Sequence, residues 1–255
     1  MSDLEQALLH ADLERRFGGL RRLFGDAGYK RLRAARVAIV GLGGVGSWAA
    51  EALARSGVHR LVLIDLDNVS ESNINRQVQA LGSTTGLAKV TALAQRIADI
   101  HPGCELQLVE EFADAQNWPA LLGGPVDVVI DACDQGHAKL AIAQWALDQV
   151  VPLVVAGAAG GKQQPQQVEV ADLAEVTHDP LLAALRQRLR KSGAARQGRL
   201  GVRCVFSREA VAAPAAGECS TDGSLNCHGY GSVVTVTATF GMTAAAEAMR
   251  LLISA

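Results

Sequence analysis

Apolar residues fall along this chain in two alternating rhythms. Short, mostly aliphatic runs occur at Val37–Val40, Leu61–Ile64, Glu105–Glu110, Val126–Asp134 and Pro152–Ala156. Between them lie longer stretches in which apolar positions return every three or four residues. The runs predict strands, and the periodic stretches predict helices over Ser47–Arg55, Ala88–Ile100 and Ala138–Gln149. Strands with few polar positions have both faces covered, as in parallel sheets flanked by helices. The expected fold class is therefore α/β: a Rossmann-like, mostly parallel sheet with flanking helices, and a C-terminal extension that adds further strands and a helix.

The flanks of this pattern read differently. Residues 4–35 predict a helical arm rich in arginine, including Arg15, Arg16, Arg21 and Arg22. From Gly229 to Ala246 the chain carries no charge, which raises the question of a membrane span. Gly231, Gly241 and several threonines and serines interrupt it, so a buried strand over Val233–Thr239 and a helix over Thr243–Leu252 are expected instead. Residues 210–232 are small and polar and predict a mobile loop that closes over a site. The chain thus divides into an arm over residues 1–35, a core over 36–175, and a segment over 176–255 packed on the core as one domain.

Composition narrows this picture. The chain has 255 residues, 49% apolar but only 4% aromatic, so its core is made of Ala, Val and Leu. The net charge is −2, yet Arg186, Arg188, Arg190, Lys191, Arg196, Arg199, Arg203 and Arg208 follow one another with no acid between Leu181 and Arg208. That run is either a solvated helix and loop or a surface for nucleic-acid phosphates. Cys104, Cys133, Cys204, Cys219 and Cys227 form no C-x-x-C pair. An odd cysteine count and an acidic start, Met1-Ser-Asp-Leu-Glu5, without a secretory h-region give an expectation of reduced thiols in the cytoplasm.

The chemistry centres on Gly41-Leu-Gly-Gly-Val-Gly46, between a strand and a helix. Gly41, Gly43 and Gly46 form G-x-G-x-x-G, which lets a backbone approach phosphates at a helix N-terminus. Asp65 ends the next strand, where it can accept hydrogen bonds from ribose hydroxyls. Lys89 opens a helix, the unfavourable end for a cation, so an anionic ligand explains it better than helix design; the bland reading is an ordinary surface lysine. Asp131 reads either as a satisfied buried acid or as a ligand-facing one, and Asp134, in the following turn, is the better Mg²⁺ candidate. Cys227 next to His228 invites a nucleophile reading, although sequence neighbours need not be oriented partners.

Five stretches in order, Gly41–Gly46, Ile64-Asp-Leu-Asp67, Asn73-Ile-Asn-Arg-Gln77, Gly86-Leu-Ala-Lys89 and Asp131-Ala-Cys-Asp134, resemble the E1-like, ATP-dependent adenylating enzymes of the ThiF/MoeB superfamily. The resemblance implies an ATP site built from Gly41, Gly43, Gly44, Gly46, Asp65, Asp67, Asn73, Arg76, Gln77, Lys89 and Asp131. It implies catalytic roles for Arg76, Lys89 and Asp134, the last holding Mg²⁺, in attack of a carboxylate on the α-phosphate. It also implies a homodimer with an arginine, Arg16 or Arg22, reaching across to phosphate.

Arg16–Gly25, His178-Asp-Pro-Leu181, Gly201-Val-Arg-Cys-Val-Phe-Ser207, Thr235–Gly241 and the missing zinc-type cysteine pairs resemble the tRNA threonylcarbamoyladenosine dehydratase branch. That branch implies ATP-dependent dehydration of the N6-threonylcarbamoyl group on adenosine 37 of tRNA. It also implies tRNA contacts from Arg186, Arg188, Arg190, Lys191, Arg196, Arg199 and Arg203, a bound Na⁺ or K⁺, and a cysteine desulfurase or sulfur-acceptor partner. Three rival readings stand beside it. An activator of the C-terminal Gly of a sulfur-carrier protein would need an acceptor thiol such as Cys204 or Cys227. An NAD-dependent oxidoreductase would leave Arg76, Lys89 and Asp134 without a task. A non-catalytic scaffold for tRNA or sulfur relay would be inert towards ATP.

Overall fold

The computed structural model describes residues 12–195, 197–212 and 230–254. Its strands are β1 (Arg36–Val40), β2 (Arg60–Ile64), β3 (Glu105–Val109), β4 (Val128–Asp131), β5 (Leu153–Ala156), β6 (Val168–Asp172) and β7 (Arg203–Ser207). They make one seven-stranded sheet in the order β3-β2-β1-β4-β5-β7-β6. Every pairing is parallel except β6 with β7. The helices are α1 (Leu13–Phe17), α2 (Gly19–Ala34), α3 (Gly46–Arg55), α4 (Lys89–Ile100), α5 (Gly136–Asp148), α6 (Pro180–Lys191) and α7 (Val234–Ser254).

The two-residue period of the strands sorts the core into two layers. Val37 and Ile39 of β1 and Leu61 and Leu63 of β2 face one side, where α3, α4 and α7 bring Leu53, Leu93 and Phe240. Ala38, Val40, Val62 and Ile64 face the other, against Ile142 of α5 and Leu182, Leu185 and Leu189 of α6. The chain leaves β1 towards β2 on one side, and β4 lies on the other. The end of β1 is therefore a topological switch point, the place where open α/β sheets bind ligands.

Two expectations are corrected by the structure. The first concerns Val233–Thr239, which is the opening of one long helix, α7, rather than a strand. Val236, Thr237, Phe240, Gly241, Ala244, Ala245, Ala248 and Leu252 all face inward, a helical spacing that runs through both halves of the uncharged stretch. Burial of that stripe outweighs the β preference of its valines and threonines, and the Thr239 hydroxyl donates to the Thr235 carbonyl at 2.7 Å. The second concerns where the further strands come from: the expected C-terminal extension supplies β7, whereas β6 lies within the stretch expected as the core. β7 comes from the C-terminal segment yet lies inside the sheet between β5 and β6. Among the described residues, no helix is long and apolar enough to cross a membrane.

The arm expected over residues 4–35 is helical from Leu13, as α1 and α2, with a break at Gly25 (φ 72°). Arg16 donates to the carbonyls of Asp99 and Ile100, each at 2.7 Å, so it closes the C-terminus of α4. Arg22 is exposed and makes no hydrogen bond or ion pair among the described residues.

Candidate functional site

The C-terminal ends of β1, β2, β4 and β5 border a cavity of about 510 Å³. Its floor is the glycine turn. Gly41, Gly43 and Gly44 line it, whereas Gly46 lies beneath, as the first residue of α3. A Cβ on Gly46 would sit 1.8 Å from the Gly41 carbonyl oxygen, so that glycine serves close helix–strand approach. The free N–H groups of the turn and of the first turn of α3 favour negative charge at this position.

Asp65 follows β2 and is 7% exposed. One of its oxygens accepts from the Leu42 N–H (2.6 Å) and the other from the Asp67 N–H (2.9 Å), and each keeps a lone pair for a ligand. Burial raises its pKa, and Lys89 nearby opposes that shift. Lys89, also on the cavity wall, places Nζ 2.6 Å from Asp67 and 3.8 Å from Asp65. Arg76 crosses the turn with its stem against Gly44. Its guanidinium donates to the Ser72 carbonyl (2.6 Å) and to Asn75 (2.9 Å), and Trp48 donates to its carbonyl (2.9 Å). Burial lowers the Arg76 pKa. Gln77 completes this side. Two cations and two carboxylates thus surround the phosphate-binding turn.

Besides Gly46, two residues expected at the nucleotide lie off the cavity wall. Asn73 spends its side chain in a capping box, accepting from the Ser70 N–H at 3.1 Å. Asp131 is fully buried beneath the wall, where Lys139 donates to it at 3.1 Å. The same Asp131 oxygen receives the N–H (3.2 Å) and the thiol (3.0 Å) of Cys133. Asp131 therefore supports the turn that presents Cys133, Asp134 and Gln135 to the cavity. Asp134 is exposed there and makes no hydrogen bond among the described residues.

The cysteines in view are poor nucleophiles. Burial pushes the thiols of Cys133 and Cys204 well above the ordinary range, and that of Cys104 up to about 12. Cys204 is fully buried in β7, which excludes it as an accessible acceptor. Cys219, Cys227 and His228 lie outside the described residues.

The basic run is less of a free surface than its sequence implies. Arg186 donates to the carbonyls of Leu173 (3.0 Å) and Val176 (2.8 Å). Arg203 pairs with Glu247 at 2.6 Å, Arg199 with Glu175 at 3.5 Å and Arg208 with Glu169 at 2.9 Å. Arg186 and Arg203 are thereby tied into the fold, while Arg186 also lines a groove on α6 with Arg190 and Lys191. Arg188, Arg190 and Lys191 remain on α6 without an acidic partner among the described residues, and Arg196 lies outside them. That groove starts at Pro180, which also borders the main cavity.

Several lining residues were not among the expected ones: Phe112, Gln135, Thr237, Tyr230 and the turn Gly157–Gly160. The signal available for Phe112 was an aromatic residue just past a strand's C-terminal end. The others reach the cavity only through the order of the strands and the placement of α7.

A switch-point cavity with a glycine turn, two cations and an exposed acid defines a nucleotide-phosphate site on an E1-like sheet. The chain matches the model described as the ThiF family over residues 18–255, and it belongs to that family. It is 41% identical to the tRNA threonylcarbamoyladenosine dehydratase of Escherichia coli over 247 residues, covering 92% of each chain. The Haemophilus influenzae protein of the same name is 38% identical, with 91% of this chain and 90% of that one covered. Among solved structures, the E. coli dehydratase TcdA in complex with ATP superposes with a TM-score of 0.87 at 40% identity, covering 96% of each chain. E. coli MccB with ATP, at 14% identity and a TM-score of 0.59, shares the fold.

Proposed function

We infer that this chain is an ATP-dependent dehydratase that cyclises the N6-threonylcarbamoyl group on adenosine 37 of tRNA. The observation that carries this reading is the phosphate cradle of Gly41, Gly43 and Gly44 with Arg76, Lys89 and the exposed Asp134, on a chain 41% identical to a tRNA threonylcarbamoyladenosine dehydratase over 92% of its length. A carrier-protein activator that goes on to a thioester uses an accessible thiol, and burial raises the pKa of both Cys133 and Cys204. An intramolecular cyclisation needs no thiol.

The substrate carboxylate attacks the α-phosphorus of ATP and pyrophosphate leaves, giving an acyl-adenylate. A nucleophilic atom of the same carbamoyl group then attacks the activated carbonyl, a ureido N–H of that group releases its proton to solvent, and AMP leaves with the oxygen lost from the carboxylate. The net result is loss of one water from the modification at the expense of ATP. Ring closure within one group proceeds at high effective molarity. Lys89 and Arg76 offset charge on the phosphates, and the N–H groups of the glycine turn hold them in line. An exposed carboxylate beside the nucleotide suits Mg²⁺, which keeps most of its waters and binds through one or two carboxylates plus phosphates, so Asp134 would hold it. Bound there, Mg²⁺ supplies charge neutralisation at the triphosphate. Arg22, free of partners among the described residues, is the arm's candidate for phosphate contact across a homodimer.

Incubation of fully modified tRNA with ATP and the protein, followed by nucleoside mass spectrometry, is expected to show the threonylcarbamoyladenosine signal lose one water. Pyrophosphate exchange that requires a carrier protein and ignores modified tRNA would replace this reading with the carrier-activator one. R76A and D134A are each expected to abolish cyclisation with the fold retained by circular dichroism.

The α6 groove supplies a further expectation. R190E/K191E should weaken tRNA binding and flatten its dependence on salt, because each lost phosphate contact lowers the slope by about one. R203A should instead lower stability with little change in salt slope, since Arg203 is tied to Glu247. Equal salt slopes for wild type and R190E/K191E would make the groove ordinary solvated surface.

A further inference from the structure

The cavity is longer than its phosphate cradle. It runs from the end of β2 to the end of β5, three strand spacings, or about 14 Å. The β2 end holds Asp65, Lys89 and Phe112. The β5 end is bordered by the turn Gly157–Gly160, the first residues of α6, Val211 and Tyr230, and none of these carries a charge.

Tyr230 is fixed at that end by backbone contacts. A Cβ on Gly161 would lie 3.3 Å from the tyrosine ring, and one on Gly160 would lie 3.6 Å from the Tyr230 Cβ, so the side chain rests on glycine backbone. The Gly161 N–H donates to the Gly231 carbonyl and the Gly161 carbonyl accepts from the Ala212 N–H, each at 2.8 Å. The first bond holds the residue that follows the tyrosine, and the second holds Ala212 at the same glycine. The ring is half-exposed, and its hydroxyl makes no hydrogen bond among the described residues. The chain has only one other tyrosine, Tyr29, and that one is buried.

An aromatic side chain bordering an uncharged compartment suits a flat heteroaromatic ring. Bases drawn out of a nucleic acid are read by stacking on such side chains. Pro180 borders both this compartment and the α6 groove with Arg190 and Lys191. The twelve residues of α6 extend about 18 Å from that point. A strand whose phosphates follow the groove can turn one base in at Pro180, and that base shares a single cavity with the phosphate cradle.

We propose that the β5 end of the cavity seats the everted, carboxylate-bearing base of the nucleic-acid substrate, with Tyr230 as its stacking platform. The assignment rests on the dehydratase reading above. It makes the base compartment separable from the phosphate-binding groove, because stacking is insensitive to salt whereas phosphate contact is not.

The test is steady-state dehydration of modified tRNA by wild type, Y230A and Y230F, with free N6-threonylcarbamoyladenosine nucleoside as competitor. Y230A is expected to raise KM for tRNA roughly 10- to 100-fold, the range for loss of a base–aromatic stack. The rise should be the same at low and high salt, with the Kd for ATP unchanged. The free nucleoside should compete with tRNA on wild type and Y230F but no longer on Y230A, and Y230F should restore the tRNA KM. A wild-type KM for Y230A with undiminished competition overturns the inference and leaves the dehydratase reading standing. A wild-type protein that never dehydrates tRNA, yet shows carrier-dependent pyrophosphate exchange that Y230A loses, overturns both and assigns the compartment to a peptide tail.

Discussion

K89A is expected to lower ATP-dependent turnover by at least about 100-fold, the cost of removing one charge-stabilising donor from a phosphoryl or acyl site. Lys89 is the first residue of α4, where the helix dipole opposes a cation, and it is 6% exposed. Asp67 at 2.6 Å and Asp65 at 3.8 Å hold it there. A triphosphate in the cradle adds the charge that this arrangement answers. The variant also changes the acids left behind. Burial already raises the Asp65 pKa and Lys89 restrains it, so removing Lys89 moves that pKa further up. A carboxyl whose folded pKa exceeds its unfolded value favours the folded state below the unfolded pKa and loses that contribution as pH rises through the folded one. K89A should therefore be most destabilised relative to wild type at neutral pH and approach it in acid. Urea unfolding at a series of pH values reads this out, and the acid limb of ATP binding should move to higher pH in parallel. Turnover within threefold of wild type would remove Lys89 from the site.

Much of this site was legible because it is local. Gly41 to Gly46, Asp65 and Lys89 each sit at the end of an element whose boundaries follow from apolar spacing, and strand ends converge in an open parallel sheet. What was illegible depends on partners far away in sequence. Arg203 reads as free in a run without acids, yet Glu247 of α7 meets it across the sheet. Arg186 reads the same way, yet one of its guanidinium nitrogens donates to two carbonyls preceding its own helix. Asp131 reads as a possible ligand, and only Lys139 one helix later shows it to be a buried counter-ion. The strand preference of Val233–Thr239 was a local signal that burial against α3 and the sheet overrode. Tyr230 carries no signal at all until β5, α6 and Gly161 are placed around it.

K139M is expected to cost about 3–5 kcal/mol of stability, the range for removing one partner of a buried ion pair. For a chain of this size that is a fall in Tm of roughly 6–20 °C. Lys139 and Asp131 are both fully buried, and the ammonium also donates to the carbonyls of Ala156 (3.0 Å) and Asp131 (3.4 Å). Burial works against the charge on Lys139, but Asp131 beside it outweighs that and the lysine pKa lies above its usual value. Methionine keeps the stem and removes the charge. It leaves behind a carboxylate whose second oxygen already lacks a partner among the described residues. D131N/K139M should recover much of the loss, because an amide oxygen still accepts from the Cys133 N–H and no buried charge remains. The recovery measures the coupling of the pair in a double-mutant cycle. The consequence reaches the nucleotide because the turn held by Asp131 packs on the glycine turn: a Cβ on Gly41 would lie 2.7 Å from the Cys133 nitrogen. K139M should accordingly also require more Mg²⁺ for half-maximal turnover, through displacement of Asp134 rather than loss of any contact by Lys139 itself. Additive single-variant losses, or a K139M protein as stable as wild type, would show that the pair does not hold this turn.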